Sequence, residues 1–258
     1  MNMLQKNFDK AIIKFLGVNN AKFEFSGFIY KNKKKEAIDS IGLTLDISIE
    51  SVKKSLENGI DTLVCFHAPD KLGGKDFITK EIKKLIKNKL NLYKCHLPLN
   101  FADFIGIHSV LCMMADLKAE PITFKYEGRK IRGGEYRILE QHTLRELLDK
   151  LKKVGSPYAR IFNHEDNNKV YKNILISSGS GFKKELFEQT NCDLIISGEA
   201  KHSVIMQARD NGVTLVELGH YYTENAPLSI IAKKFEEIIG VSVKFISIPF
   251  LEKIHDFK

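Results

Sequence analysis

Four short segments of the chain carry side chains suited to chemistry, and each follows an apolar run. They are Cys65-Phe66-His67-Ala68-Pro69-Asp70, Cys95-His96-Leu97-Pro98-Leu99-Asn100, Ser197-Gly198-Glu199-Ala200-Lys201-His202 and Gly219-His220-Tyr221-Tyr222-Thr223-Glu224. Three of them place a histidine just beyond the run. His96 and Asn100, and again His220 and Glu224, are four residues apart, a spacing that on a helix or tight turn aims both side chains at one point. Imidazole with carboxylate suits a first-row divalent ion such as Zn²⁺, Mn²⁺ or Fe²⁺. Cys65, two residues before His67, shares its strand face and reads either as a soft ligand or as a buried core thiol. Asp70 is either a carboxylate that offsets the ion's charge or an ordinary loop acid. Glu199 is a candidate general base beside the ion, with His202 on the same face. Both also fit a role in orienting metal ligands through hydrogen bonds. Tyr221 and Tyr222 either flank a flat base or pack at a subunit contact. Ser177-Ser178-Gly179-Ser180-Gly181 lies between a predicted strand and helix. There Ser178, Gly179, Ser180 and Gly181 either cradle an anion on backbone N–H groups or form a glycine-permitted tight turn. The run matches neither a Walker loop nor GxGxxG.

Regular elements must deliver these segments. A helical stripe at Leu4, Phe8, Ala11, Ile12, Phe15 and Leu16 ends at Gly17, and Phe23 to Tyr30 alternates as a strand does. Strand and helix then alternate: Ile41 to Leu45, Ser48 to Leu56, Thr62 to Phe66, Phe77 to Lys87 and Leu92 to Cys95. Ile122 to Arg137 reads as a hairpin-like excursion around Arg132-Gly133-Gly134. Thr143 and Glu146 have capping-box spacing ahead of a helix with Leu144, Leu147, Leu148 and Leu151 on its apolar face, closed by Gly155-Ser156-Pro157. Alternation resumes through Ile174 to Ile176, Lys183 to Phe187, Leu194 to Ile196, His202 to Asn211, Thr214 to Leu218 and Pro227 to Ile239. Such alternation predicts parallel βαβ units with functional groups beyond the carboxyl ends of the strands. An offset of 132 residues relates Asp46 to Ser178, Asp61 to Asp193 and His67 to Glu199, the mark of a diverged internal repeat. The reading is an α/β protein of two similar halves, residues 1–120 and 173–258, joined by a β excursion and helix at 121–172.

Composition bounds the function. At 258 residues, with 43% hydrophobic and 28% charged, the chain can bury a large core and is not disordered. No apolar run approaches the roughly 18 residues of a membrane span, and the N-terminal segment lacks the apolar centre of a signal peptide. Four sparse cysteines without a CxxC pair read as reduced thiols in a cytoplasm. The net charge of +8 favours anionic partners, but 34 of the 40 basic residues are lysine and only 6 arginine, against the arginine preference of base and phosphate reading. The basic run Lys31 to Lys35 falls in a loop. Nucleic acid is therefore the least favoured ligand and a small anion the more natural one.

The ordered set HAP at 67–69, HLPLN at 96–100, SGEAKH at 197–202 and GHYYTE at 219–224, with LTLDIS at 43–48 and SSGSG at 177–181, resembles the Nif-three-like family. Its members are also called GTP cyclohydrolase I type 2 homologs. The resemblance spans nearly the whole chain. It implies a cleft between two similar α/β halves, a pair of divalent ions in that cleft, and assembly into a ring-like homohexamer. Two positions depart from the family pattern. Ala68 stands where the family has a second consecutive histidine, and Asn100 where it has an aspartate. His67, His220 and Glu224 remain as matching ligands, with His96 matching the histidine of its motif. One carboxylate offsets little of the +4 carried by two dications, so a single ion or a weak site is expected. Two functions follow from these residues. One is a metal-dependent hydrolase of a nucleotide-like or phosphorylated compound; the other is a diverged, non-catalytic oligomeric member that binds a ligand or partner.

Overall fold

Apolar runs without alternation suit strands buried on both faces, and here they pair in parallel with helices on either side. The computed structural model describes residues 3–16, 26–72, 76–126, 128–164, 166, 168–183 and 185–250. Its first part comprises α1 (Gln5–Leu16), β1 (Gly27–Tyr30), β2 (Ser40–Asp46), α2 (Ile49–Glu57), β3 (Thr62–His67), α3 (Phe77–Ile86) and β4 (Asn91–Lys94). Then come two short helices, α4 (Leu97–Phe101) and α5 (Ile107–Met114), the hairpin β5 (Ala119–Tyr126) and β6 (Arg129–Ile138), and α6 (Leu144–Leu151). The remainder is β7 (Arg160–Phe162), β8 (Ile174–Ile176), α7 (Glu185–Gln189), β9 (Leu194–Ser197), α8 (His202–Asp210), β10 (Thr214–Glu217), α9 (His220–Ile239) and β11 (Ser242–Phe245). The predicted stop at Gly17 and the start of the strand at Phe23 lie outside the described residues.

The strands form two main sheets, ordered β11-β2-β3-β4-β1 and β7-β10-β9-β8-β6-β5. In each, three parallel strands occupy the middle and an antiparallel strand closes an edge: β1 beside β4, and β7 beside β10. One face of the first sheet packs Leu43, Val64 and Tyr93 against Phe8 and Phe15 of α1 and Ile231 and Phe235 of α9; the other packs Leu63 and Leu92 against Val52, Ile82 and Ile86 of α2 and α3. The second sheet is likewise covered, by Leu111, Leu147 and Leu151 on one side and by Leu186, Val204 and Ala208 on the other. Among the described residues, no helix is long and apolar enough to cross a membrane.

The internal repeat has a physical marker. Asp61 accepts the backbone N–H groups of Asp39 and Ser40 at 2.8 and 3.3 Å. Asp193 accepts those of Lys172 and Asn173 at 2.9 and 3.0 Å. Each aspartate ties the start of one strand to the segment entering its neighbour. The register refines the alignment. Ile41 faces Thr62 and Ile174 faces Leu194, so the offset of 132 holds for β3 and β9 but becomes 133 for β2 and β8. Gly179, not Ser178, is thus the counterpart of Asp46, and the N–H of Glu199, counterpart of His67, donates to Gly179 O at 2.7 Å.

Several boundaries differ from the sequence reading. The first strand of the excursion ends at Tyr126 and the second begins at Arg129, while Gly133 and Gly134 lie inside β6, where a register irregularity sits opposite Pro121 and Thr123. A side chain at Gly133, whose φ is 85°, would press on the carbonyl of Phe101. The divisions at 120/121 and 172/173 cut across the sheets: β5 and β6 belong to the second sheet, and β11 returns to the first beside β2. Helix α9 starts at His220 rather than Pro227, with Pro227 in its interior. Proline marks helix starts because it lacks an N–H, but here tertiary packing carries the helix through it.

Candidate metal centre

Helix α9 begins at the carboxyl end of the second sheet and then lies on the first, packing against α1, α5, β2 and β11. Its first turn therefore faces the carboxyl end of β3. His67 closes β3, and His220 and Glu224 occupy one side of that first turn of α9. One ligand-type atom from each of these three residues lies within 4.8 Å of the others. Glu224 Oε2 is 2.9 Å from His220 Nε2 and 3.3 Å from His67 Nε2. Glu224 is 3% exposed, and this oxygen has no partner in hydrogen-bond geometry. Two imidazole nitrogens and a carboxylate oxygen thus converge on one point.

The opposite nitrogens are held. His67 Nδ1 is 2.9 Å from Asp46 Oδ1, and His220 Nδ1 is 2.9 Å from Glu199 Oε2. A carboxylate at Nδ1 fixes the tautomer that leaves Nε2 as the ligand atom, the common arrangement behind metal-bound histidine. Glu224, 2.9 Å from Nε2, together with Glu199 and against the opposing effect of burial, raises the His220 pKa to about 9. The donor set fits a borderline divalent ion: two nitrogens, one buried oxygen and an orienting group behind each histidine. The loop at 177–181 closes over it. Gly179 N–H donates to Thr223 Oγ1 at 3.0 Å, and a Cβ at Gly179, whose φ is 52°, would overlap Glu224 Oε1 and stand 2.9 Å from His220 Nε2.

A cavity of about 310 Å³ opens beside these atoms, within the range of small-molecule sites. His67, His96, Asn100, His220 and Glu224 all line it. His96 precedes α4, its ring centroid 5.2 Å from that of His67. Asn100 Oδ1 is buried without a hydrogen-bond partner. The β5–β6 hairpin supplies Phe124, Arg129, Ile131, Gly134 and Glu135, so the excursion is a wall of the site rather than a connection. A second depression reaches His67 and His220 from the side of Asp46, Glu199, Tyr158, Tyr221 and Tyr222.

Each remaining candidate has a definite place. Glu199 places one oxygen 2.9 Å from His220 Nδ1, where it can orient that ring. His202 is exposed at the start of α8 and lines neither cavity. Cys65 is a fully buried core thiol packed with Val52 and Ile82, its pKa pushed far up by burial, so the ligand reading fails. Cys95, Cys112 and Cys192 are also buried and are not in disulfides. Asp70 pairs with Lys94 Nζ at 2.8 Å; Asp46 and Glu199 are the carboxylates near the histidines. Ser178, Ser180 and Gly181 line the cavity, but the backbone N–H groups of Gly179 and Gly181 are spent on Thr223 and on Ser178 O. Ser178 Oγ lies 3.2 Å from His108 Nε2, whose Nδ1 faces Asn100 O at 3.0 Å. With that ring buried and its pKa lowered, Nδ1–H donates to the carbonyl and the Ser178 hydroxyl donates to Nε2. The Gly181 N–H to Ser178 O bond and the Gly179 φ of 52° are those of a tight turn. Tyr221 donates to Ile248 O at 2.8 Å and stacks on Phe250 within the chain. Sequence reasoning missed Asp46, Arg129, Glu135 and Lys183. An aspartate closing an apolar strand was the available signal for Asp46; the others are visible only once the hairpin folds over the cavity.

The family model for Duf34/NIF3 (NGG1p interacting factor 3) matches residues 5–250. The chain belongs to this family. The "GTP cyclohydrolase 1 type 2 homolog" of Pyrococcus horikoshii is 28% identical over 220 residues, covering 83% of this chain and 86% of that protein. The protein of the same name from Archaeoglobus fulgidus is 25% identical over 218 residues, covering 83% of this chain and 86% of that protein. Among solved structures of the Duf34/NIF3 fold, TTHA1606 from Thermus thermophilus superposes with a TM-score of 0.78 at 22% identity, over 96% of this chain and 99% of that one. Reduced HcgD from Methanocaldococcus jannaschii gives 0.77 at 19% identity, with the same coverages.

Proposed function

We propose that this Duf34/NIF3 protein is a metal-dependent hydrolase acting on a nucleotide-like or other phosphorylated compound. The observation that carries the reading is the convergence of His67 Nε2, His220 Nε2 and Glu224 Oε2, each histidine backed by its own carboxylate, at the edge of a cavity. A bound Zn²⁺, Fe²⁺ or Mn²⁺ supplies Lewis acidity and makes water more acidic. Asp46 and Glu199 hold the rings in place, and Arg129 and Lys183, both lining the cavity, provide positive charge for a phosphate. The name borne by the curated relatives agrees with a nucleotide-like substrate.

One ion per chain is the expected stoichiometry. Of the family-motif positions beyond those three, His96 and Asn100 line the cavity without adding a carboxylate, and Ala68 has no donor atom. Ala68 and Asn100 also favour the second reading, an oligomeric member that binds without catalysis. Metal content after dialysis, followed by chromatography of GTP incubated with the loaded protein, separates the two. Turnover lost in Glu224→Gln supports the hydrolase; one bound ion without turnover supports the binding protein. The family resemblance further implies a homohexameric ring, for which Phe104 and Phe77, 86% and 67% exposed, are apolar surface to cover. A monomeric mass by light scattering at micromolar protein would refute the ring.

A further inference from the structure

The cavity beside the histidines ends on a carboxylate to which the chemistry above gives no role. Glu135, on β6, is 1% exposed and lines the cavity, and its Oε2 is buried without a hydrogen-bond partner. Burial raises its pKa to about 8, with the charge of Lys183 opposing. An unmet acceptor of this kind destabilises a fold unless something arrives to satisfy it. Its surroundings say what can arrive. Gly134, the preceding residue, has no side chain, and a Cβ there would stand 3.1 Å from Phe101 Cε1 and 3.4 Å from Phe124 Cε1. The missing side chain keeps the space before those two rings open. Leu97 and Ile131 complete the apolar walls. A phosphate offers acceptors where an ionised Glu135 needs donors, and a flexible aliphatic chain would leave it unpaired; two donors arriving together hold the carboxyl ionised against its burial. A flat ring with N–H donors on its edge satisfies both the walls and the acceptor.

We infer that Glu135 receives the donor edge of a planar heterocycle, a ring N–H beside an exocyclic amino group, and so decides which base this cavity accepts. The inference rests on the reading of the cavity as the site of a nucleotide-like compound. It assigns Glu135 a recognition role separate from the metal residues.

Isothermal titration of GMP, IMP and AMP tests it, because the phosphate is common to all three and differences report the base. Metal content is measured on the same samples. The wild-type protein should bind GMP about tenfold or more tighter than IMP, which lacks the amino group, and AMP more weakly than GMP. Glu135→Gln should bring GMP and IMP to within about twofold while metal content stays unchanged. Glu135→Asp keeps the carboxylate and should keep GMP ahead of IMP. Equal affinities for the three, no binding of any of them, or a preference that survives in Glu135→Gln overturns the inference. Bound metal with no base preference removes this inference alone; base preference without bound metal removes the metal reading alone.

Discussion

Asp46 and His67 face each other as register partners on adjacent parallel strands, and their side chains meet at 2.9 Å between Oδ1 and Nδ1. The strand pairing itself thus orients a candidate metal ligand. Asp46→Asn keeps the shape but removes the charge behind the imidazole, and should weaken metal binding by about 10-fold to 100-fold. Chelator competition at fixed pH, with circular dichroism to verify the fold, measures it. An unchanged affinity would remove Asp46 from the site.

Glu224 is the one carboxylate among the three converging groups. Glu224→Gln should reduce bound metal from about one ion per chain to well under half an ion after dialysis, because two neutral imidazoles and an amide give a dication little reason to shed its water. Plasma emission against protein concentration reads the result.

The double variant Ala68→His with Asn100→Asp restores the imidazole and the carboxylate of the family pattern, the first directly after His67 and the second on a residue that lines the cavity. It should take up a second ion, seen as about two ions per chain by plasma emission. Two ions in the unaltered protein, or no increase in a folded double variant, would show that other groups already complete the site.

Gly179→Ala places a methyl group against Glu224 and His220 at a backbone φ of 52°. The backbone strain alone costs about 1–2 kcal/mol, and the overlap must also displace the carboxylate. Both melting temperature and bound metal should fall. Gly128→Ala, at φ 73° with open space around it, should lower only the melting temperature.

Glu135 gives the stability a pH dependence of defined sign. Its folded pKa of about 8 lies above the ordinary 4.5, so between those values the folded chain holds a proton that the unfolded chain releases. The contribution is complete below about pH 4.5 and is lost as pH rises through about 8. Glu135→Gln should therefore melt higher than wild type at pH 8.5, by on the order of 5 °C, with the difference shrinking toward pH 5. Melting curves of both proteins across that range are the measurement, and parallel curves would contradict it.

Much of the fold was legible in the sequence because it is local. Continuous apolar runs such as Thr62 to Phe66 specify buried strands, and Thr143 with Glu146 forms the capping box that their spacing predicts. The four-residue spacing of His220 and Glu224 already brought those two side chains together, since one turn of helix suffices. Spacing along the chain could not say that His67, more than 150 residues earlier, meets them. That meeting depends on α9 leaving one sheet and packing its apolar face on the other, a matter of burial between distant segments. Nor could it choose among carboxylates. Asp70 lies close to His67 in sequence but pairs with Lys94, whereas Asp46 reaches His67 because parallel register sets them side by side. Glu135 reads in sequence as one more charged residue of a hairpin. Only the folding of that hairpin against α4 makes it a buried acceptor at the end of a cavity, because burial is a property of the neighbours that tertiary packing supplies.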